Sequence, residues 1–165
     1  MFDYLSYRAP LVESPFFKEI RGSINNEYSN MLNDLNSNGY CLVDLELDHE
    51  LIDTANNDLA ISIQKNEYKK NSEAYHYNES PRIVEAWKSS KAIKEIALNN
   101  KLHKILQTAY NSRPIPFSTI NFLKGTEQPL HSDEFHFGSI PHRYLTGCWI
   151  ALEDIDPNSG PLSLA

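Results

Sequence analysis

Apolar residues follow helical spacing early in the chain, and this spacing predicts two successive helices separated by a strand. Between residues 28 and 35 they recur at i, i+3, i+4 and i+7, the stripe of an amphipathic helix. Gly39 can end this helix in a left-handed cap. The run YCLVDLEL at 40–47 favours a strand. Asp48 is then expected to cap a second helix, over which apolar residues again form one face.

Further helices are predicted between residue 80 and the prolines near residue 114. Ser80 followed by Pro81 is typical of a helix start, with proline in the first helical position. Trp87 is expected on this short helix. Two more apolar stripes, at 93–97 and 102–109, predict two further helical pieces.

The character of the chain changes at Pro114, because a helix cannot continue through Pro114 and Pro116. Extended pieces are predicted at 119–123, at 128–133 and along YLTGCWIALED, which begins at Tyr144. Helices followed by strands indicate an α+β fold. We therefore expect one domain in two parts: a helical cover layer with one early strand over residues 1–113, and the first strands of a β-rich core over residues 114–165.

Composition narrows the class of protein. The chain has 165 residues, of which 41% are hydrophobic and 22% charged, as in ordinary globular domains. The net charge of −7 argues against nucleic-acid binding, which needs clustered Lys and Arg. No stretch approaches the roughly 20 apolar residues of a membrane span, and the N-terminus does not resemble a secretory signal. We expect a cytoplasmic protein, with Cys41 and Cys148 as buried, reduced thiols.

The stretch QPLHSDEFHF at 128–137 holds the residues best suited to chemistry. In a strand, His131 and Asp133 would project from the same face, so an imidazole nitrogen and a carboxylate oxygen could occupy adjacent positions on a metal. The alternative is a simple His–Asp hydrogen bond at a strand end. His136 could add a third ligand, although lining a pocket or lying on the surface fits it better.

Two longer blocks carry a family resemblance. RPIPFSTINFLKGTEQPLHSDEFHF and YLTGCWIALEDIDPNSGPL resemble the phytanoyl-CoA dioxygenase family of Fe(II)- and 2-oxoglutarate-dependent oxygenases. The helical stretch SPRIVEAWKSSKAIKEIALNNKLHKILQTAY is similar to the layer that covers this family's barrel. The resemblance extends over most of residues 28–162.

The resemblance implies specific roles. His131 and Asp133 would be iron ligands, and no other catalytic residue is implied. Asn121 would contact 2-oxoglutarate, and Trp149 would lie beside it. The aspartate favours hydroxylation, because halogenating relatives have a small residue at that position. The implied partners are a small organic substrate and molecular oxygen.

The resemblance also implies what the chain lacks. The family's core is a double-stranded β-helix, a jelly-roll or cupin-like barrel that needs about eight strands to close. Its second histidine ligand and the arginine that pairs with 2-oxoglutarate would follow the last residue of this sequence. We therefore expect an N-terminal fragment that is inactive by itself, with unpaired strand edges that favour association with other chains.

Two alternatives remain. The chain could be a truncated or degenerate family member without activity that serves as a binding or assembly module. It could also be a metal-binding cupin-like protein, although those sites draw several histidines from neighbouring strands.

Overall fold

The computed structural model describes residues 10–14, 17–20, 27–66, 69–70, 81–123, 128–133, 137–140 and 142–164. The helices are α1 (Phe17–Ile20), α2 (Ser29–Asn38), α3 (His49–Gln64), α4 (Lys91–Ala97) and α5 (Asn100–Tyr110), with 3-10 turns at Leu11–Glu13 and Ala86–Lys88. The strands are β1 (Lys69–Lys70), β2 (Pro81–Val84) and β3 (Ile120–Phe122).

Contacts divide the chain into two compact units, each assembled from separate segments. The first comprises Met1–Glu46, Leu98–Ile115 and Ser132–Gly147. The second comprises Leu47–Ala97, Pro116–His131 and Cys148–Ala165. The division at residue 113 expected from the sequence stays a prediction.

The core of the first unit joins α2 and α5 to the 3-10 turn near the N-terminus. Its buried side chains are Val12, Phe17, Leu32 and Ala109. The predicted helix at 28–35 is confirmed as α2, and Gly39 ends it in the left-handed conformation with φ 80°. The Asn36 amide donates a hydrogen bond of 2.6 Å to the carbonyl of Val12, which ties α2 to the turn.

The core of the second unit packs α3 and α4 against strand β2. Asp48 caps α3 as predicted, because its side chain accepts a hydrogen bond of 3.1 Å from the backbone N–H of Glu50. The core residues have small or aliphatic side chains, and these are almost fully buried. They are Ala55, Leu59, Ile83, Ala86, Ala92, Ile93 and Ile96.

A small antiparallel sheet lies beside this core, with strand order β1-β2-β3. Ile83 pairs with Asn121 in its register. The predicted helix start at Pro81 is wrong: Pro81 begins strand β2 instead, and Ser80 lies outside the described residues. The β-branched pair Ile83-Val84 suits a pleated, half-buried surface, which outweighs the local Ser-Pro signal. Trp87 lies in the 3-10 turn that follows.

Three predicted extended pieces form no strand among the described residues. At 40–47 the exposure of side chains alternates along the chain, yet no neighbouring segment supplies ladder hydrogen bonds. The pieces at 128–133 and 144–154 also lack a ladder. Alternation with a period of two determines which face of the chain each side chain occupies. A β-strand also needs a neighbouring strand with which to form hydrogen bonds. The fold is therefore mixed helix and small antiparallel sheet.

Neither cysteine is in a disulfide. The prediction that both thiols are buried is wrong, because Cys148 is exposed and Cys41 is only half-buried. Burial, followed by the charge of Asp34, raises the pKa of the Cys41 thiol. Among the described helices, none is long and apolar enough to cross a membrane.

Candidate metal centre

His131 is an exposed residue of the second unit whose ring is held by a nearby carbonyl. Its Nδ1 atom lies 2.7 Å from the backbone oxygen of Pro129. A carbonyl oxygen can only accept, so Nδ1 donates, and in the neutral ring Nε2 then carries the lone pair. Metal-binding histidines are usually oriented in this way through their other nitrogen. In the neutral ring, the Pro129 contact thus leaves Nε2 as the nitrogen able to bind a metal.

Asp133 is an exposed residue of the first unit, and its carboxylate lies against the backbone of Gly147. A Cβ atom added to Gly147 would be 3.0 Å from Oδ2 of Asp133. A side chain at position 147 would therefore meet this carboxylate at closer than ordinary contact distance.

The division between the two compact units falls between His131 and Asp133, so each is described within its own unit. The strand expected to align them is absent: residues 128–132 make no ladder pairing among the described residues. Across the described part of the chain, no three His, Cys, Asp or Glu side chains are grouped so as to hold a metal ion. His136 lies outside the described residues.

Asn121 lies on strand β3 and carries an unsatisfied polar atom. Its pairing partner across the antiparallel ladder, Ile83, is 4% exposed and belongs to the apolar core. Paired residues project on the same face, so Asn121 faces the side of the sheet on which Ile83 is buried. Its Oδ1 atom is buried and finds no hydrogen-bond partner within the described residues. A buried hydrogen-bond acceptor without a partner lowers the free energy of unfolding by about 1–3 kcal/mol.

Trp149 lies in a segment of the second unit that has no regular secondary structure. Its neighbour Ile150 and the nearby Leu152 pack on the apolar core. The Asn56 amide of α3 donates a hydrogen bond of 2.9 Å to the carbonyl of Leu152. Trp149 itself is 51% exposed, so this side chain does not serve as core.

Glu85 organises the junction that leads into β3, and the sequence analysis missed it. Its carboxylate accepts hydrogen bonds from Lys88 at 2.8 Å and from the indole N–H of Trp87 at 3.1 Å. Its backbone N–H donates to the carbonyl of Thr119 at 2.7 Å. Its φ of 63° is left-handed, a conformation uncommon outside glycine. The spacing Glu-x-Trp-Lys is the only local signal, because the link to residue 119 is non-local.

The charge of Glu85 is strongly stabilised. Hydrogen bonds from Lys88, then Ser118, then Trp87 lower the pKa of Glu85 to about 2, from an ordinary value of 4.5. Because the folded pKa is depressed, this carboxylate stabilises the fold above pH 4.5, and that contribution is lost as the pH falls toward 2.

Replacing this carboxylate tests that arrangement. Glu85→Gln is expected to lower Tm at pH 7, and its difference from the wild type should shrink as the pH falls from 4.5 to 2. Thermal unfolding followed by circular dichroism across this range measures the difference. The matched variant Glu95→Gln changes an exposed carboxylate on α4 and should leave the curve unchanged. An equal Tm difference at every pH would show that the charge of Glu85 is not responsible.

A comparison with protein families gives the chain its class. A sequence model described as phytanoyl-CoA dioxygenase (PhyH) matches residues 35–165. Proteins of this class are dioxygenases that use Fe(II) and 2-oxoglutarate. The match covers most of the sequence, so the chain belongs to the phytanoyl-CoA dioxygenase family. A search of curated proteins and a search of solved structures each found no match.

The residues present fit two of the three protein ligands that such an iron takes. A neutral imidazole and a carboxylate are the donor types of the 2-His-1-carboxylate arrangement. His131 has the required tautomer, and Gly147 leaves the Asp133 carboxylate room. Asn121 fits a cosubstrate contact, because its Oδ1 atom is buried and lacks a hydrogen-bond partner among the described residues.

Proposed function

We propose that this protein is an Fe(II)- and 2-oxoglutarate-dependent oxygenase that hydroxylates a small organic substrate, with conversion of 2-oxoglutarate to succinate. The observation that carries the proposal is a His-x-Asp sequence inside the family match whose histidine has its Nδ1 atom bound to a carbonyl. The pairing of His131 with Asp133 rests on their spacing in the chain and on the family. When bound, the iron supplies the oxidising chemistry.

In this proposal, His131 binds through Nε2 and Asp133 through its carboxylate. One carboxylate against a divalent cation leaves a net positive charge, which attracts the anionic cosubstrate. The third protein ligand comes from outside the described residues.

Asn121 and Trp149 would serve the cosubstrate. A half-turn of the Asn121 amide exchanges its oxygen and nitrogen, and the buried Nδ2 would then donate to a carboxylate of 2-oxoglutarate. Trp149, exposed on its segment, would cover the cosubstrate and exclude water.

The aspartate at position 133 favours hydroxylation over halogenation. The small sheet is proposed to be part of a jelly-roll barrel, and Cys41 and Cys148, neither in a disulfide, support a cytoplasmic location.

Cosubstrate binding tests the function without requiring turnover. Calorimetric titration under nitrogen is expected to show that 2-oxoglutarate binds the chain with Fe(II) or Mn(II) present, and not with EDTA. Succinate, which lacks the keto group needed for chelation, should bind much more weakly under the same conditions. Binding of 2-oxoglutarate that is equal with and without metal, or absent in both, would remove the proposal.

The second candidate is a family member without activity that acts as a binding or assembly module. Large apolar side chains exposed in the C-terminal half favour it. They include Ile115 at 77%, Leu130 at 75% and Ile140 at 101% exposure. Failure of metal-dependent 2-oxoglutarate binding in a folded chain would make this module the better account.

A further inference from the structure

The backbone conformation at Gly147 is one that residues other than glycine can also adopt. Gly39 and Gly138 have φ of 80° and 49°, the left-handed region where a side chain is strained. Gly147 is outside that region, so other residues could adopt its conformation. What distinguishes position 147 is the space around it and not its φ.

The space around Gly147 is taken by the candidate iron ligand. The distance from an added Cβ to Oδ2 of Asp133 is 3.0 Å, shorter than ordinary van der Waals contact. By contrast, an added Cβ at Gly39 or Gly138 would meet no atom within 4 Å. Position 147 is thus the place where a side chain would displace the carboxylate.

The cost of that displacement would fall on the metal and not on the fold. Asp133 is exposed, so a shift of its carboxylate by a few tenths of an ångström, enough to admit a methyl group, disturbs no buried packing. A metal ligand, however, must keep its oxygen in a fixed direction, and the groups that orient a ligand affect metal affinity by about 10- to 100-fold.

We propose that Gly147 is a positioning residue: its missing side chain lets the Asp133 carboxylate take the direction in which it binds the divalent metal. The inference rests on the proposed function, since it assumes that Asp133 is a ligand. It adds that a position 14 residues further along the chain controls that ligand.

The test compares stability and metal affinity in a size series at this position. Gly147→Ala should leave Tm unchanged or raise it by about 1–4 °C, because alanine restricts the unfolded chain. The same change should weaken Mn(II) binding about tenfold, measured by electron paramagnetic resonance of the free ion. Gly147→Val should weaken binding further. Ala151→Ser, which enlarges an exposed residue of the neighbouring segment, should change neither quantity.

The results of these titrations distinguish the role of Gly147 from the oxygenase function on which that role depends. Wild-type and Gly147→Ala chains that bind Mn(II) with equal affinity would overturn the role of Gly147 alone. A loss of affinity accompanied by a matching fall in Tm would also overturn it, because a merely structural role produces that result. Absence of Mn(II) binding in the wild-type chain would remove the proposed function together with this inference.

Discussion

Replacing either proposed ligand by alanine is expected to lower the Mn(II) affinity of the chain by at least about 100-fold, the upper end of the effect of losing a group that only orients a ligand. His131→Ala removes the nitrogen donor whose ring is oriented by the Pro129 carbonyl. Asp133→Ala removes the only anionic donor proposed, so a divalent ion would keep its full charge and its water. Equilibrium titration followed by electron paramagnetic resonance measures both losses.

Matched variants separate a site from general charge effects. His49→Ala and Asp53→Ala change an exposed histidine and an exposed aspartate on α3. They alter the net charge by the same amounts as the site variants and should keep the wild-type affinity. If Asp53→Ala weakened binding as much as Asp133→Ala, the ion would be held by the diffuse acidity of the surface.

Asn121→Leu is expected to change stability and function in opposite directions. Leucine has the same branched shape and number of heavy atoms as asparagine but no polar atom, so it removes the buried Oδ1 that lacks a partner among the described residues. The free energy of unfolding should rise by about 1–2 kcal/mol. Metal-dependent binding of 2-oxoglutarate should be lost, because no amide remains to contact the cosubstrate.

Urea denaturation and calorimetric titration of 2-oxoglutarate test the two halves of this prediction. The control Asn56→Leu removes an amide that donates to the Leu152 carbonyl, so it should lower stability and leave cosubstrate binding intact. If Asn121→Leu destabilised the chain as Asn56→Leu does, the amide of Asn121 would be serving the fold rather than a ligand.

The helices were predictable because their signals are local. The apolar stripe at 28–35 and the glycine after it gave α2, and the capping aspartate at 48 gave the start of α3. Each signal acts within a few residues, and tertiary contacts did not override it.

The strands were less predictable because pairing depends on distant residues. Exposed and half-buried side chains do alternate at 40–47, yet no other described segment forms a β-ladder with these residues. Pro81, a favourable first residue of a helix, instead begins a strand that pairs with β3, about 40 positions away. A period of two cannot reveal which segment, if any, will pair.

The candidate site also has some features that the local sequence predicts and others that depend on distant residues. The His-x-Asp sequence was visible, and the family resemblance that gave it a role is confirmed by the match over 35–165. The contact of Asp133 with Gly147, and the junction built by Glu85, join residues far apart in sequence, so no local pattern contains them.

Succinate formation from 2-oxoglutarate under air would show whether this chain uses Asp133 to hold a catalytic iron. The reaction would contain the chain, Fe(II) and ascorbate. The account predicts Fe(II)-dependent succinate and carbon dioxide in equal amounts, and a rate that falls to background in Asp133→Ala. Equal rates in the wild type and in Asp133→Ala would contradict it, because the reaction would then owe nothing to the proposed iron ligand.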